Sequence, residues 1–435
     1  MLPNPSRKRI GRLRILVLDE AIPFPPNAGK PARTWNLLRR LARRHSICLL
    51  CYGNADSPAA LAVRNVGIRL CLVKPKPDRK GLSLYLRLFF NLFSSLPFSV
   101  VKHYSRRFQK ALHRLLQERW DLIQCEWTPY AQFIRRAGPV PTLIATHNVE
   151  SHILARRAGN VSHPVARTFF LMQQQKMRRF EQRVLRRASA VTAVTGPEVK
   201  TMSDWGVRPL AVIPNGADLA SLSSNFGAER NGELLFLASL DWYPNVDALT
   251  YFIQEVFPIV RTRWPDVRLR IVGRKPSKIL KGQFSGLPGI DFVGEVEDVR
   301  SYLASAAVIV VPLRIGAGSR IKILEALAAG KAVVSSSVGA EGLEVISGTH
   351  LLIADSPEDF ALAIDQFLAS EGLRRRLGAR GKELVRDRYG WEKIASRLES
   401  VWYEVVNGCK ADPAVFGSGE IRFHESKSCP SFARE

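Results

Sequence analysis

Short apolar runs alternate along the chain with longer stretches in which apolar residues recur at helical spacing. Such runs, each leading through a loop into a helix, are typical of buried parallel strands covered by helices. In the first half the predicted strands are 15–18, 47–52, 68–73, 121–126, 142–145, 191–194 and 211–213. The second series has predicted strands 234–238, 267–272, 290–293, 308–311 and 332–334. Longer predicted helices are 31–44, 82–93, 164–187, 247–263, 320–329 and 391–406. The pattern predicts an α/β protein.

The stretch 308–337 contains the clearest candidate site. The apolar strand 308–311 runs into a loop with Gly318, and Ser319 is a candidate N-cap for the helix 320–329. A glycine loop that opens a helix offers backbone N–H groups and the positive end of the helix dipole to an anion. Three cationic side chains stand in or beside the loop: Arg314, Arg320 and Lys322.

Glu325 lies about one and a half turns into this helix, where its carboxylate could accept hydrogen bonds from sugar hydroxyls. A ligand that places its phosphates at the start of the helix and a diol near Glu325 would be a nucleotide diphosphate sugar. The alternative is an ordinary strand–helix turn whose glycines only pack the helix on the sheet, because lone glycine loops are weak signals. The crowded cations and the carboxylate on an otherwise apolar helix favour binding.

These residues resemble the donor site of the retaining glycosyltransferases of family 4, whose fold is called GT-B. In that family a Glu-x7-Glu helix binds the sugar nucleotide, and Glu325 matches the second Glu, which holds the ribose hydroxyls. Ala317 stands at the first Glu. The form Gly-x-Gly-Ser-Arg-x-Lys-x-Leu-Glu-Ala resembles a bacterial exopolysaccharide-type branch. The resemblance covers roughly residues 13–406 and implies two Rossmann-like domains facing across a cleft.

A second match follows the predicted strand 142–145. His147 stands at the carboxyl end of that strand, where open α/β sheets bind ligands. The tetrad His147-Asn148-Val149-Glu150 resembles the same branch, which implies that His147 lies near the donor phosphates. A lone histidine is more often structural, but position and match together favour function. We assign catalytic roles to His147 and Glu150.

Two further loops resemble family features. The motif Pro-Asn-Gly-x-Asp at 214–218 is similar to the interdomain hinge and adds Asn215 and Gly216 to the donor-binding residues, although Asn-Gly also suits a plain turn. The first loop, where Gly29 remains of the usual Gly-Gly, is implied to face the cleft on the acceptor side together with Arg33. Gly29 could equally serve only to permit the turn.

The resemblance implies a division of the chain. It comprises a basic tail 1–12, an acceptor-side domain 13–212, a nucleotide-sugar-binding domain 213–390, a helix 391–406 returning to the first domain, and a tail 407–435 expected to be disordered. Many family members place Arg and Lys after the first strand of the second domain for the diphosphate, whereas segment 239–245 lacks them. Phosphate binding is therefore expected to rest more on Arg314, Arg320 and Lys322.

The net charge of +25 lies entirely in the first half. Residues 1–210 hold 37 of the 64 Lys and Arg but only 11 of the 39 Asp and Glu, a net of +26, whereas 211–435 carry −1. Such asymmetry suggests an anionic partner, either nucleic acid or a membrane surface. The predicted helix 82–93 carries a stripe of Leu82, Leu86, Phe89, Phe90 and Phe93. The stripe indicates either a core helix or a lipid-facing element with a basic rim.

The cysteines and the apolar segments bear on location. Cys48 and Cys51 stand three apart on a predicted strand, so their side chains point to opposite faces and neither a disulfide nor a metal site is expected. Unpaired cysteines fit a reducing cytosol. The run 15–18 is too short for a signal peptide, and 82–101 is too interrupted to span a bilayer. We expect a cytoplasmic protein, peripheral on the inner face of the cell membrane.

The resemblance implies transfer of a sugar from a nucleotide diphosphate donor to a glycan or lipid-linked acceptor, with retention and without a metal or other cofactor. A GT-B sugar-nucleotide epimerase is an alternative, with Glu150 and Glu344 as candidate carboxylates. A basic nucleic-acid-binding protein is another. The basic residues lack interleaved aromatics and a recognisable binding motif, so we expect no nucleic acid partner.

Overall fold

The computed structural model describes residues 11–26, 29–75, 81–134, 138–161, 163–219, 228–315 and 321–408. Gly318, Ser319 and Arg320, which the sequence analysis placed at the donor phosphates, lie outside the described residues. Almost all of the basic tail and of the C-terminal tail also lie outside them.

The first half of the chain forms a seven-stranded parallel sheet in the order β3-β2-β1-β4-β5-β6-β7. Its strands are β1 (Arg14–Ala21), β2 (Ser46–Tyr52), β3 (Arg69–Val73), β4 (Leu122–Cys125), β5 (Thr142–Ala145), β6 (Ala190–Ala193) and β7 (Ala211–Val212). In the centre of the sheet Ile15 pairs with Ile47 on one side and Leu122 on the other. All seven strands predicted from the apolar runs are confirmed.

Helices cover both faces of this sheet, and apolar clusters fill each interface. They are α1 (Gly29–Leu41), α2 (Pro58–Asn65), α3 (Leu82–Leu92), α4 (Phe98–His103), α5 (Arg106–Leu115), α6 (Glu150–Gly159), α7 (Pro164–Leu185) and α8 (Gly196–Asp204), with a 3₁₀ turn at Thr128–Gln132. Cys48 belongs to one cluster and Cys51 to the other, and both thiols are free. The prediction that the two cysteines point to opposite faces is confirmed.

The second half forms a six-stranded parallel sheet in the order β10-β9-β8-β11-β12-β13. Its strands are β8 (Arg230–Leu237), β9 (Arg268–Val272), β10 (Ile290–Gly294), β11 (Ala306–Val311), β12 (Ala332–Ser335) and β13 (Leu352–Ile353). Its helices are α9 (Tyr243–Tyr251), α10 (Phe257–Arg263), α11 (Lys278–Phe284), α12 (Arg300–Ser305), α13 (Ile321–Ala328), α14 (Ser337–Ala340), α15 (Pro357–Ala369) and α16 (Glu371–Leu384). Two π turns occur, at Phe252–Val256 and Val385–Tyr389.

The single helix predicted at 247–263 is wrong in detail. Helix α9 begins earlier, with Pro244 in its first turn, and a wide π turn separates it from α10. Pro258 explains the interruption, because a proline has no N–H to donate and its ring clashes with the carbonyl four residues earlier. Widening the preceding turn relieves both problems.

The last described helix, α17 (Trp391–Val406), packs on the first sheet, as predicted. Trp402 is fully buried against the strands, and its indole N–H donates to Gln124 Oε1 at 2.5 Å. Beside Trp402, with its ring centre 5.4 Å from that of the indole, His45 lies 2.7 Å from the Glu399 carboxylate. The chain therefore crosses between the two halves twice.

The two crossings lie side by side at Gly216. A Cβ atom at this position would meet the Tyr389 carbonyl oxygen at 2.6 Å and the Trp391 ring at 2.8 Å. The next residue, Ala217, donates its N–H to that same Tyr389 carbonyl at 3.0 Å. Glycine is therefore required here by close packing of the two crossings, and the predicted hinge motif lies where the chain passes between the sheets.

Candidate functional site

The starts of two helices, one beside each sheet, lie close together. Gly29 begins α1 and Ile321 begins α13, and a Cβ atom at Gly29 would lie 4.0 Å from Cδ1 of Ile321. The N-terminal ends of both helices, where the helix dipole is positive, are therefore neighbours in space. This is the region in which the sequence analysis expected the donor, with Gly29 on the opposite wall.

Lys322, in the first turn of α13, reaches the loop that follows β8. Its Nζ donates to Asn245 Oδ1 at 2.9 Å, and the Asn245 amide donates to the Ser239 carbonyl at 2.8 Å. At the end of β9, Arg274 donates through Nε to Ser239 Oγ at 2.6 Å. The segment 239–245, which has no cation of its own, is therefore contacted by Lys322 and Arg274 from neighbouring elements, and Lys275 lies 3.8 Å from its Asp241. Sequence reasoning missed Arg274, although a cation directly after a buried strand was a usable signal.

Arg314 binds carboxylates on the neighbouring α9 and π turn. Its guanidinium donates to both oxygens of Asp247, at 3.1 and 2.8 Å, and lies 3.8 Å from Glu255. The hydrogen bonds from Arg314 to Asp247 raise the pKa of the guanidinium further. Arg314 therefore fastens the loop after β11 to α9.

Glu325 lies one turn beyond Lys322 on the same helix, among buried neighbours. Burial raises the pKa of the Glu325 carboxyl to about 7, against the lowering effect of the Lys322 charge. A carboxylate held at this cost in a cleft is typical of a functional group. The distance along the helix from its positive end fits a group that binds the ribose of a nucleotide whose phosphates sit at the helix start.

On the first sheet, His147 is buried at the end of β5 beside Glu126 at the end of β4. The His147 Nε2 and Glu126 Oε2 atoms are 3.0 Å apart. Burial alone would raise the pKa of Glu126, but the His147 hydrogen bond and the Arg33 charge hold it below its usual value. Burial lowers the pKa of His147. Glu126 is thus an ionised partner that the sequence analysis did not identify.

A second cluster at the end of β1 was also missed. Lys30 Nζ hydrogen-bonds to Asp19, lies 3.1 Å from Glu20, and sits 5.1 Å from the centre of the Trp127 ring. Burial raises the pKa of Asp19 to about 6, which Lys30 opposes. Burial alone would lower the pKa of Lys30, but the two carboxylates raise it above its usual value. None of Asp19, Glu20 and Lys30 was predicted as a site residue from the sequence.

Glu150 also contacts Trp127. Its carboxylate accepts from the Trp127 indole N–H at 2.9 Å, and its own N–H donates to Glu181 at 2.8 Å. Burial raises the pKa of Glu150 above its usual value and that of Glu181 to about 8. The structure therefore brings His147, Glu150 and Lys30 together at the ends of the central strands.

The placement of Arg33 in an acceptor-side loop is wrong. Arg33 lies on the buried face of α1 and is only 1% exposed. Its guanidinium donates to the Pro214 carbonyl at 2.7 Å and to Asn215 Oδ1 at 3.2 Å. Because an arginine can satisfy several acceptors in a plane, it is suited to hold the segment that crosses between the sheets. Arg33 and Asn215 therefore support the hinge.

A paired contact joins the two halves beside the cleft. Arg156 on α6 donates to both oxygens of Glu341, at 2.9 and 2.8 Å. The neighbouring Arg157 guanidinium lies 5.7 Å from the centre of the Tyr243 ring at the start of α9. This ion pair is therefore a second contact between the two halves, in addition to the hinge.

Two family models match this chain in consecutive parts. The first, described as "Glycosyl transferase 4-like domain", matches residues 29–216, and the second, "Glycosyl transferases group 1", matches residues 231–370. The first match covers most of the sheet β1–β7 and the second covers the sheet β8–β13. The chain belongs to the GT4-type glycosyltransferases. Two parallel-sheet α/β domains in this arrangement form the GT-B fold, so the predicted fold class is confirmed.

Relatives of this GT4-type chain include enzymes of known activity. It is 36% identical over 212 residues to phosphatidyl-myo-inositol mannosyltransferase of Mycobacterium tuberculosis, covering 46% of this chain and 55% of that protein. It is 26% identical over 176 residues to an uncharacterised 44.6 kDa protein in the cps region of Klebsiella pneumoniae, covering 39% and 45% of the two chains. The chain thus spans about half the length of the curated relatives it matches.

Solved structures agree in fold over nearly the whole GT4-type chain. Sucrose-phosphate synthase from Thermosynechococcus elongatus superposes with a TM-score of 0.67 at 18% identity, covering 91% of this chain and 99% of that one. Anabaena HepE in complex with UDP-glucose superposes with a TM-score of 0.64 at 15% identity, covering 90% of this chain and 99% of that one. At these identities the likeness establishes the fold alone.

Proposed function

We propose that this chain transfers a hexose from a nucleotide diphosphate sugar to a lipid-linked or glycan acceptor, with retention of anomeric configuration. The observation that carries the proposal is the pairing of Lys322 and Glu325 along one helix whose start lies next to Gly29 of the first domain. A cation beside the helix start suits the diphosphate, and the carboxylate one turn on suits the ribose. The similar HepE protein was solved with UDP-glucose.

In the proposed reaction the bond from the anomeric carbon to the diphosphate breaks and a bond from the acceptor oxygen forms on the same face. The acceptor's proton passes to the departing phosphate oxygen. Helix N–H groups with Lys322 and Arg274 stabilise the charge that develops on the diphosphate, which is usually the largest contribution to such catalysis. These cations take the place that a metal ion holds in other transferases, so EDTA should leave the rate unchanged.

The reaction class can be tested with a panel of UDP- and GDP-sugars and extracted bacterial lipid as acceptor. Release of nucleoside diphosphate that depends on the acceptor, with an α-linked product from an α-linked donor, supports the proposal. Conversion of the sugar nucleotide without any acceptor would instead indicate the epimerase alternative. Retention of radiolabelled duplex DNA or RNA on a filter at physiological salt would favour the nucleic-acid alternative.

Replacing Lys322 by alanine is expected to weaken binding of a nucleoside diphosphate by roughly tenfold while leaving nucleoside binding nearly unchanged. Hydrogen bonds to charged groups contribute about 1.5–3 kcal/mol, and only the phosphates of the ligand would lose one. Isothermal titration with UDP, GDP, uridine and guanosine measures the difference. Lys281→Ala, an exposed lysine on α11 of the same domain, is the matched control. Equal losses for nucleoside and diphosphate would refute the phosphate role.

The lipid-linked acceptor is proposed from helix α3, whose apolar side faces solvent. Phe89, Phe90 and Phe93 are 54%, 67% and 80% exposed, whereas among the side chains described on the helix the buried one is the polar Asn91. Asn91 Oδ1 accepts from Gln173 at 2.8 Å, and its carbonyl accepts from Lys176 at 2.7 Å. The interpretation of this stripe as a core helix is therefore wrong, because its aromatic residues point outward.

An exposed aromatic face in a half of the chain with a net charge of +26 fits an anionic membrane surface. Tyr85, Leu86 and Leu92 extend the same face, and Leu171 of the adjoining α7 is also exposed. Basic residues near an anionic surface each contribute about 1 kcal/mol. In the described part of the chain, no helix is long and apolar enough to cross a bilayer. Peripheral attachment is the mode we propose.

The double variant Phe89→Glu with Phe93→Glu is expected to reduce co-sedimentation with phosphatidylglycerol vesicles at least tenfold at low salt. Both side chains are largely exposed, so the variant should fold, and donor binding should be unaffected. Leu61→Glu with Ile279→Glu makes the same charge change at exposed sites 53% and 82% accessible elsewhere. If this control loses binding equally, overall charge explains attachment and α3 has no special role.

A further inference from the structure

A line of four buried polar side chains runs from the last helix to the histidine of the site. The Trp402 indole Nε1 lies 2.5 Å from Gln124 Oε1, and Gln124 Nε2 hydrogen-bonds to Glu126 Oε1. Glu126 Oε2 lies 3.0 Å from His147 Nε2. Gln124 and Trp402 are fully buried, Glu126 is 1% exposed and His147 is 8% exposed. With water excluded from most of the line, each contact must be satisfied within the protein.

The direction of every hydrogen bond in this line follows from the side chains themselves. An indole N–H can only donate, so the Gln124 atom that faces Trp402 must be its oxygen. The Gln124 amide nitrogen then necessarily faces Glu126 and donates to it. An ionised carboxylate can only accept, so the His147 Nε2 atom must carry a proton and donate it. The orientation is thus fixed from Trp402 onward.

We propose that Glu126 is a positioning residue that, held by Gln124 and Trp402, keeps His147 in the tautomer protonated on Nε2. The other ring nitrogen, Nδ1, is then an acceptor and cannot serve as a proton donor while the ring is neutral. The significance of this tautomer for transfer rests on the proposed function, in which His147 lies beside the donor phosphates. The tautomer itself does not depend on that function.

The charges around the pair support this assignment. Arg33 and Lys30 both act to lower the pKa of His147, in the same direction as burial, and Glu126 opposes them. Arg33 also helps to hold the pKa of Glu126 below its usual value against burial. Thr34 places its hydroxyl 3.5 Å from the same oxygen that faces His147. A neutral imidazole beside an ionised carboxylate is the state that these neighbours favour.

The decisive variant is Glu126→Gln. The Gln124 amide still donates toward residue 126, so the new side chain must turn its oxygen to Gln124 and its amide nitrogen to His147. An amide nitrogen cannot accept, and His147 Nε2 must therefore become the acceptor. The variant is expected to switch His147 to the tautomer protonated on Nδ1, with little change in side-chain volume.

Two-bond ¹H–¹⁵N correlation spectra of the full chain labelled in histidine measure the tautomer directly. The chain has 8 histidines, so a His147→Asn sample assigns the signal by its disappearance. We expect Nε2–H in the native protein, Nδ1–H in Glu126→Gln, and Nε2–H in the control Thr34→Val, which removes a neighbouring hydroxyl without altering the carboxylate. An Nδ1–H native form, or an unchanged tautomer in a folded Glu126→Gln, would overturn the proposal.

The native spectrum alone decides the proposal if Glu126→Gln fails to fold, because it requires no variant. Loss of transfer activity is a separate readout. An absence of any transfer by the native chain would contradict the proposed function and leave the tautomer result standing. If the chain is active, Glu126→Gln should lower kcat more than it raises KM. The variant places the proton on the other nitrogen of His147 but leaves the imidazole ring in position.

Discussion

Replacing Glu325 by alanine is expected to weaken binding of nucleoside diphosphates roughly tenfold to a hundredfold without unfolding the chain. Hydrogen bonds to a charged group contribute about 1.5–3 kcal/mol, and the carboxylate one turn beyond Lys322 is the group we assign to the ribose hydroxyls. Titration calorimetry with UDP and GDP measures the loss. The variant should be at least as stable as the native chain, because it removes a carboxyl whose burial raises its pKa to about 7.

The same assignment predicts a pH dependence. Hydroxyl donors form stronger hydrogen bonds with the ionised form of Glu325 than with the protonated form, so native affinity should fall as the pH drops below about 7 and level off above it. This dependence should disappear in Glu325→Ala. Glu371→Ala, at an exposed position on α16, serves as the matched control. Unchanged nucleotide affinity in Glu325→Ala would show that the carboxylate does not bind the ribose.

Replacing Trp402 by alanine is expected to destabilise the first domain by about 3–5 kcal/mol, the usual loss for a large buried aromatic residue. Trp402 is fully buried between α17 and the strands of the first sheet, and its removal also leaves Gln124 Oε1 without its indole donor. Urea denaturation followed by tryptophan fluorescence and by backbone circular dichroism measures the change. Hydrogen exchange should locate the loss in the sheet β1–β7, far from residue 402 in sequence.

The exposed neighbour Glu404 provides the comparison on the same helix. Glu404→Ala should change the free energy of unfolding by less than about 0.5 kcal/mol, as is usual for surface substitutions. If Trp402→Ala is equally mild, or if its effect is confined to the second sheet, then α17 does not stabilise the first domain in solution.

Much of the fold could be predicted because each parallel strand is buried on both faces. That burial requires a continuous apolar run, such as 15–18 or 308–311, which is visible without any tertiary information. Helix α17 was predicted with its observed bounds, since its apolar residues recur at helical spacing between a glycine and a polar tail. The prediction of one helix over 247–263 failed because a proline widens the turn before it. The helical spacing of apolar residues does not show this effect.

Part of the site could also be predicted, because chain position relative to strands and helices carries information. A histidine that directly follows a buried strand must lie at the carboxyl edge of the sheet, so His147 could be identified from its spacing. Glu325 stood out as a carboxylate on an otherwise apolar helix. Both inferences use local pattern and the rule that parallel strands end at one edge.

The remaining features depended on contacts between residues distant in the chain. Trp402 and Gln124 are separated by 278 positions in the chain, and Arg33 is separated by 181 positions from Pro214, the hinge residue to which it donates. No local pattern distinguishes such a residue from an ordinary aromatic or surface cation, so Arg33 was misplaced and the Trp402 hydrogen bond was missed. The stripe on α3 shows the same limit, because helical spacing groups Phe89 with Phe93 but does not determine which face is buried. Only packing decided that the polar Asn91 turns inward and binds α7, leaving the aromatic side chains in solvent.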